Sequence, residues 1–313
     1  MKPRDSELAN QLGAGLLLFE QNVHALPGIR DPISRDVLLE QVLESVHRVK
    51  YVSIIAGRDV SIERADPNSL LFDPLKGAIF QQRRGNRDEA FWLVFLFVHF
   101  GKNSKAGWRY AREVYGRLGD GSRWDWASVS ADPISFRNWL DRHQGDLKRE
   151  SVARGFGNHR KYVSLSAHSD NGTGAAVASY VEWVNPPRTH TQLMDKFIDE
   201  ARGDPRIAFD ALYRSMSIVT TFGRLARFDY LAMVGKLRLA SIEPAFAYIK
   251  GNKGPLTGAQ LLFEGSNSGS SGSKDFDSLL LKLDTYLGVG MQVIEDALCN
   301  WQKSPREFRP FRG

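Results

Sequence analysis

The sequence predicts a mainly α-helical protein. Apolar residues recur at helical spacing through most of the chain, as they do in the stripe of Leu39, Val42 and Val46. Alternating strand patterns are scarce, and the best of them, at 51–55, is short. A further segment, 89–100, is apolar nearly all round, which is typical of a central helix buried on every side.

The remaining helices follow in order from the same periodicity. Asp132 is a helix cap and Pro133 takes the first helical position, so a short helix begins there. Pro186 and Pro187 separate two later helices. The predicted helices lie at 107–118, 133–140, 173–184, 190–199, 207–213, 222–236, 258–263, 276–281 and 285–301.

The predicted domain organisation follows from where this periodicity starts and stops. We expect an N-terminal extension at 1–35, a single helical domain at 36–302 and a basic tail at 303–313. Within the domain, a Gly/Ser-rich insertion at 265–272 has the composition of a flexible linker.

Composition excludes several classes of site. Cys299 is the only cysteine in 313 residues, so an intrachain disulfide, a zinc ribbon and a four-cysteine iron–sulfur cluster are excluded. The motifs of P-loop nucleotide binding, HExxH metalloproteases and GxSxG hydrolases are absent. The chain has no apolar run long enough to span a bilayer and begins without a signal pattern. We therefore expect a cytoplasmic protein without a metal, a cofactor or a membrane partner.

The charge is unevenly distributed. The net charge is +6, and the segment 101–161 holds 13 Lys and Arg against seven Asp and Glu. Trp108 and Trp124 lie among these cations, a combination that favours a polyanion partner such as DNA. Solvated faces of ordinary helices fit the same composition, so charge alone leaves both interpretations open.

A glycine-rich turn at 243–263 is the first candidate DNA contact. It lies between two apolar segments that we predict to be helical. Glycine and asparagine tolerate positive φ, and such a turn exposes backbone N–H groups where a phosphate can bind. The candidate phosphate-binding residues are Gly251, Asn252, Lys253, Gly254 and Thr257. A plain helix–helix turn without a ligand is the alternative.

Asp284 is the first candidate for a catalytic acid. Cleavage of an N-glycosidic bond builds positive charge on the sugar, and a nearby carboxylate stabilises that charge and orients water. We expect Asp284 at the start of an apolar helix, where a carboxylate without catalytic function is also favoured by the helix dipole. Asp229 is the second candidate, and Glu295 and Asp296 are the third.

Two further groups complete the predicted site. The loop FGNHRK combines a glycine turn, an amide, an imidazole and two cations, which suits contact with a phosphate or base, although a structural loop fits as well. Its candidate DNA-binding residues are Asn158, His159, Arg160 and Lys161. The candidate base-pocket residues, each of which could instead belong to the core, are Tyr286, Gln292 and Trp301.

Six strings of this sequence resemble one family. They are FWLVFLFVHFGK, GWRYAREVYGRLG, FGNHRKY, FGRLARFDYLAMVGKL, GPLTGAQLLF and YLGVGMQVIEDALCNWQ. Together they make the chain, from about residue 36 to residue 302, resemble the clade 3 alpha-glutamyl/putrescinyl thymine pyrophosphorylases, a branch of the helix-hairpin-helix DNA glycosylase superfamily. The resemblance implies an all-α fold of two helical lobes with the active site in the cleft between them. It extends to bacterial defence glycosylases that excise glucosylated hydroxymethylcytosine from phage DNA.

The resemblance also implies a form for the hairpin. In the superfamily it is Pro-Gly-apolar-Gly, two variable residues and Thr-Ala, followed after roughly twenty positions by Val-Asp-Thr-His with the catalytic aspartate. On this chain Asn252 stands for the first glycine, and Leu-Asp-Thr-Tyr carries Asp284, thirty positions after Gly254. Lyase-competent relatives have a lysine immediately before the hairpin threonine, where this chain has Leu256, which implies base excision without β-elimination unless Lys253 takes that role.

The sequence thus predicts a monofunctional DNA glycosylase. It would flip a bulky modified pyrimidine, such as glucosylated hydroxymethylcytosine, out of phage DNA and leave an abasic site, without an obligate protein partner. Two alternatives stay open. One is a pyrophosphorylase or transferase that makes hypermodified thymine in DNA, and the other is a DNA-binding module without catalysis.

Overall fold

The computed structural model describes residues 3–149, 153–160, 162–251, 253–266 and 275–310. Within these residues the protein is mainly helical, with fourteen α-helices, as the sequence predicts. The only extended pairing in this part of the chain is two isolated bridges, Asn103 with Gly107 and Ser164 with Gly172. None of the helices described has both the length and the hydropathy that crossing a membrane requires.

The described chain folds into two compact units. Unit 1 combines residues 3–53 with residues 244–310, and unit 2 is formed by residues 54–243. The helices of unit 1 are α1 (Pro3–Asn22), most of α2 (Pro32–Ala56), α12 (Lys253–Glu264), α13 (Phe276–Leu287) and α14 (Met291–Trp301). The helices of unit 2 are α3 (Pro74–Arg83), α4 (Arg87–Phe100), α5 (Arg109–Tyr115), α6 (Trp126–Ala131), α7 (Pro133–Leu147), α8 (Thr173–Val184), α9 (His190–Glu200), α10 (Pro205–Ser215) and α11 (Arg224–Lys236).

Helix α4 is the centre of unit 2. Its side chains from Ala90 to Leu96 are fully buried, which confirms the predicted central helix. Helices α3, α9 and α11 pack against it, as do the shorter α5 and α6. A helix that is apolar all round has no face for solvent, so the neighbouring helices must enclose it.

A buried chain of hydrogen bonds ties α4 to three other helices. Asp88 Oδ1 accepts from the backbone N–H and the Nδ1 of His190, both at 2.7 Å. His190 Nε2 lies 2.8 Å from the Tyr180 hydroxyl, which lies 2.8 Å from the Tyr230 hydroxyl. Burial lowers the pKa of His190, so the ring is neutral and can accept from Tyr180 while donating to Asp88.

Unit 1 is held by close approach between α12 and α14. The two helices pack along each other, as do α1 and α13. A Cβ atom built on Gly258 of α12 would lie 2.5 Å from the carbonyl oxygen of Leu298. Glycine is therefore required here by space rather than by backbone conformation.

Three predicted elements of secondary structure are wrong. The segment 51–55 is part of helix α2, not a strand. The predicted helix 285–301 is broken at 288–290, because Gly288 and Gly290 adopt left-handed φ values of 62° and 88°. No helix precedes the glycine-rich turn, since the described residues between α11 and α12 are not helical.

That last error comes from the period of the apolar residues. Ala245, Ala247 and Ile249 are buried, while the residues between them are partly exposed. Alternation with a period of two is the pattern of extended chain, and Pro244 at its start disfavours a helix in the residue before it.

We predict that Gly258→Ala destabilises the protein by roughly 1–3 kcal/mol, because the added methyl group must push α14 away. Gly145→Ala is the matched control, since nothing lies within 4 Å of a Cβ atom at that exposed position in α7. It should stabilise by roughly 0.5–1 kcal/mol through helix propensity. Urea unfolding measures both free energies, and equal effects of the two variants would contradict the packing argument.

Candidate functional site

Among the described residues the glycine-rich turn has a helix only on its C-terminal side. Gly251 is left-handed, with a φ of 78°, and α12 begins at the exposed Lys253. A Cβ atom on Gly254 would lie 2.8 Å from the Sγ atom of Cys299, so packing accounts for this glycine. Thr257 is partly buried, and Asn252 lies outside the described residues. Phosphate binding by this turn stays a prediction.

Asp284 lies in the last turn of α13 and not at the start of a helix, as the sequence had indicated. Its side chain is buried, and its Oδ1 atom accepts from the backbone N–H groups of Val289 and Gly290 at 3.0 and 2.8 Å. These donors belong to the turn that leads into α14. The carboxylate therefore joins two helices of unit 1, a structural role that needs no substrate.

The predicted base-pocket residues lie in different environments within unit 1. Trp301 is fully buried in the core. Tyr286 is partly buried and packs edge-to-face on Phe19, with 5.8 Å between ring centroids. Gln292 is partly buried in the first turn of α14. Packing thus accounts for both aromatic residues of this group.

The third-choice carboxylates are also engaged within unit 1. Asp296 forms an ion pair with Arg48 and accepts from the side chain of Asn300. Glu295 is buried in the same helix.

In unit 2 the loop 156–160 and Asp229 come together. Arg160 Nη2 lies 3.3 Å from Asp229 Oδ2, and Arg160 Nε donates to the carbonyl oxygen of Val98 at 2.7 Å. Arg160 is buried, whereas 37% of the Asp229 side chain is exposed. The carboxylate therefore remains open to solvent while its partner is fixed. Lys161 lies outside the described residues.

The surroundings of Asp229 are strongly basic. Burial raises the pKa of the Asp229 carboxyl, and the positive charges of Arg160, His159, Arg224 and Lys236 oppose that rise. One carboxylate thus lies among several cations of the loop and of its own helix, α11. Such an arrangement attracts an anion from solution as well as neutralising the acid.

His99 is buried among aromatic rings close enough to Arg160 to be affected by its charge. Its ring stacks on Phe95 and Phe222, and its Nε2 atom lies 3.0 Å from the Thr173 hydroxyl. Burial, assisted by the charge of Arg160, lowers the pKa of His99 to about 3. The ring is therefore neutral and positions Phe222 in the turn that precedes α11.

That turn is a feature which sequence reasoning missed. Helices α10 and α11 are joined by residues 216–223, in which Thr221 is left-handed with a φ of 67°. Phe222 is buried, and the exposed Gly223 is the N-cap of α11, without a side-chain cap. Glycine at the N-cap supplies no side-chain acceptor to the first turn of α11.

The sequence contains a signal for this turn. Of the form Pro-Gly-apolar-Gly the turn keeps the last two residues, Phe222 and Gly223, and Thr221 is left-handed at the place of the first glycine. Because a β-branched residue rarely adopts that conformation, residue types alone favour the glycine-rich segment as the hairpin. Unlike that segment, this turn has a helix on both sides.

We predict that Asp284→Ala destabilises unit 1 by roughly 1–3 kcal/mol, because two backbone N–H groups lose their acceptor. Asp284→Asn keeps an oxygen acceptor and should cost less. Thermal or urea unfolding compares the two variants. If alanine and asparagine destabilise equally, the two hydrogen bonds contribute nothing to the fold.

A second prediction concerns pH. Because the pKa of His99 is about 3 in the fold and about 6.5 in an unfolded chain, the unfolded state binds one more proton between these values. The contribution of neutral His99 to the free energy of unfolding therefore has its full value above about pH 6.5. Below that pH the contribution falls by about 1.4 kcal/mol for each pH unit.

The comparison of wild type with His99→Phe isolates this proton from other titrating groups, including Glu89, whose pKa is raised by burial to about 7 and has the opposite effect. The difference between the two unfolding free energies should shrink as the pH falls from about 7 to about 5. A difference that is constant over this range would show that His99 has the same pKa in the fold as in the unfolded chain.

Among the described residues, no group of three or more His, Cys, Asp or Glu side chains is arranged to hold a metal ion.

No curated protein and no solved structure matches the chain significantly. The model of one protein family, described as alpha-glutamyl/putrescinyl thymine pyrophosphorylase clade 3, matches residues 33–313. That match covers nearly the whole chain, so the protein belongs to the alpha-glutamyl/putrescinyl thymine pyrophosphorylase clade 3 family.

Proposed function

We propose that this protein is a DNA glycosylase that excises a bulky modified pyrimidine, such as glucosylated hydroxymethylcytosine, from phage DNA in antiviral defence. The observation that carries the proposal is the position of Asp229. Asp229 lies on α11, which follows α10 after a turn and has an N-cap, Gly223, without a side-chain cap. It pairs with Arg160 of the loop 156–160. The turn that would bind a phosphate and a partly exposed carboxylate thus lie at and on the same helix.

The start of α11 would hold a backbone phosphate of the DNA. Its N-cap is Gly223, whose lack of a side chain lets a phosphate approach the N–H groups closely. Arg224 follows in the first turn and adds positive charge beside the helix dipole. Asn158 and His159, both exposed in the neighbouring loop, would contact the strand further on.

Asp229 would act on the flipped nucleotide. A carboxylate below the sugar stabilises the positive charge that develops as the base leaves, and it orients the attacking water. Arg160 would hold the carboxylate in place and favour its charged form. Asp284 remains the alternative acid, although its Oδ1 atom already accepts two backbone hydrogen bonds.

The reaction would end at an abasic site. When the glycine pattern of the superfamily is placed on the turn before α11, the position of the lyase lysine falls on Leu225, although Asp229 then follows Gly223 after six positions and not after roughly twenty. The lysine position falls on Leu256 in the glycine-rich segment, so both placements lack the amine that forms a Schiff base. Excision without β-elimination follows from either one.

The family description favours a second candidate function. It refers to a thymine pyrophosphorylase, which would make a hypermodified thymine and leave the base–sugar bond intact. A DNA-binding module without catalysis would produce neither an abasic site nor an altered base. A cytoplasmic location, expected from the sequence, stays a prediction.

The deciding experiment is an assay for abasic sites on phage DNA that carries glucosylated hydroxymethylcytosine, with unmodified DNA in parallel. Wild type should yield strand breaks only after alkali and only on modified DNA. Asp229→Asn should lose activity by roughly 100-fold or more, because the developing charge loses its partner. Asp195→Asn, a change at an exposed aspartate of α9, is the matched control.

Each other outcome selects an alternative. A folded but inactive Asp284→Asn beside an active Asp229→Asn would move the catalytic role to Asp284. An altered base detected by mass spectrometry, without abasic sites, would replace excision by base modification. DNA binding without either product would leave the DNA-binding module.

A further inference from the structure

A second basic site lies in unit 2, formed by other residues than the Asp229 cluster. It is a surface cavity of about 440 Å³ lined by residues of 64–73 and 102–112 together with Ala153. Its charged lining consists of five cations and one carboxylate: Arg64, Lys102, Lys105, Arg109, Arg112 and Asp73. The carboxylate is already engaged, since Asp73 Oδ1 caps α3 by accepting from the N–H groups of residues 75 and 76, both at 3.1 Å.

The arginines of this cavity are not neutralised by the acids around them. Among the described residues, Glu113 is shared by two of them and by the neighbouring Arg154, with Arg154 at 2.7 Å, Arg109 at 3.5 Å and Arg112 at 3.9 Å. Burial lowers the pKa of Arg112, the charge of Glu113 opposes that change, and the charges of Arg109 and Arg154 add to it. One carboxylate for three guanidinium groups leaves an excess of positive charge beside the cavity.

The two lysines are presented by a rigid loop. The backbone groups of Asn103 and Gly107 pair in both directions, at 3.0 and 2.9 Å. The Asn103 side chain accepts from the N–H groups of Lys105 and Ala106 and donates to the carbonyl oxygen of Phe156 at 3.1 Å. The loop is therefore fixed before any ligand arrives, so little conformational entropy is lost on binding.

The rest of the lining is apolar and aromatic. Leu70 is among the most exposed apolar side chains described, at 83%, and it borders the cavity together with Phe72 and Trp108. A wall of this kind contacts a base or another flat group, whereas the cations contact phosphate oxygens. The combination is more specific than a basic patch on a polar surface.

We propose that this cavity binds a nucleotide unit that carries two or more phosphate groups. The shared chemistry is a base joined to clustered phosphates, and its source is either a free nucleoside triphosphate or a strand of DNA. The site does not depend on the excision chemistry, because it shares no residue with the Asp229 cluster. Phosphate recognition comes from Lys102, Lys105 and the two arginines of α5, with the base against the apolar wall.

The test is a binding titration with two probes, thymidine triphosphate and a short single-stranded oligonucleotide. The variant is the double substitution Lys102→Ala and Lys105→Ala, since both side chains are exposed and neither has an ion pair within the described residues. The matched control removes two exposed lysines elsewhere in unit 2, Lys148→Ala and Lys196→Ala. Abasic-site formation is measured on the same preparations.

We expect the cavity variant to bind the recognised probe roughly tenfold or more weakly, and the control to bind it like wild type. For DNA, the slope of log affinity against log salt should also fall by about two, one for each lost phosphate contact. Loss confined to the triphosphate identifies a free nucleotide as the source, and loss confined to the oligonucleotide identifies DNA.

The proposal is overturned if wild type binds neither probe, or if the cavity variant and the control bind equally. The abasic-site assay tests the proposed function and does not decide whether the cavity binds a nucleotide. A protein that forms no abasic sites but loses nucleotide binding in the cavity variant would refute the glycosylase and keep this site.

Discussion

Unit 2 depends on the complete burial of α4. A helix with apolar residues on every face stays in water only at a large cost, at about 25 cal/mol for each Å² of exposed apolar surface. Five helices therefore close around it, and their order in space is set by which residues fit its surface. The candidate site follows from this arrangement, because Val98 of α4 supplies the carbonyl oxygen that fixes Arg160, and His99 packs on Phe222.

The same burial fixes the polar groups at the start of α4. Glu89 accepts from the Tyr115 hydroxyl at 2.6 Å and from the backbone N–H of Trp126 at 2.7 Å, so it ties α5 and α6 to the central helix. Burial raises its pKa to about 7. The neighbouring Asp88 has a lowered pKa, because hydrogen bonds from His190 outweigh the effect of burial. Two adjacent carboxyl groups thus differ in pKa because burial dominates at Glu89 and the hydrogen bonds from His190 dominate at Asp88.

The sequence allowed the helical class and the central helix to be predicted, but not the site. A continuous apolar run is a local property of the sequence, and α4 could be recognised from it without any partner. Asp229 and Arg160 are far apart in the chain, and no local pattern shows that they meet. The turn before α11 was missed because Thr221 adopts a conformation that its residue type disfavours, and only the surrounding fold stabilises it there.

The two candidate aspartates differ in their hydrogen-bond partners and in their exposure to solvent. Asp284 receives two backbone hydrogen bonds in a buried turn of unit 1, so the fold uses one of its oxygens fully. Among the described residues Asp229 pairs with Arg160, which is itself held by a backbone carbonyl, and more than a third of the Asp229 side chain faces solvent. A carboxylate that only stabilised the fold would be better paired and less exposed. Asp229 is held by a buried guanidinium and stays partly exposed, which is why we propose it rather than Asp284 as the acid, while the further cations around it favour the phosphates of a bound nucleotide.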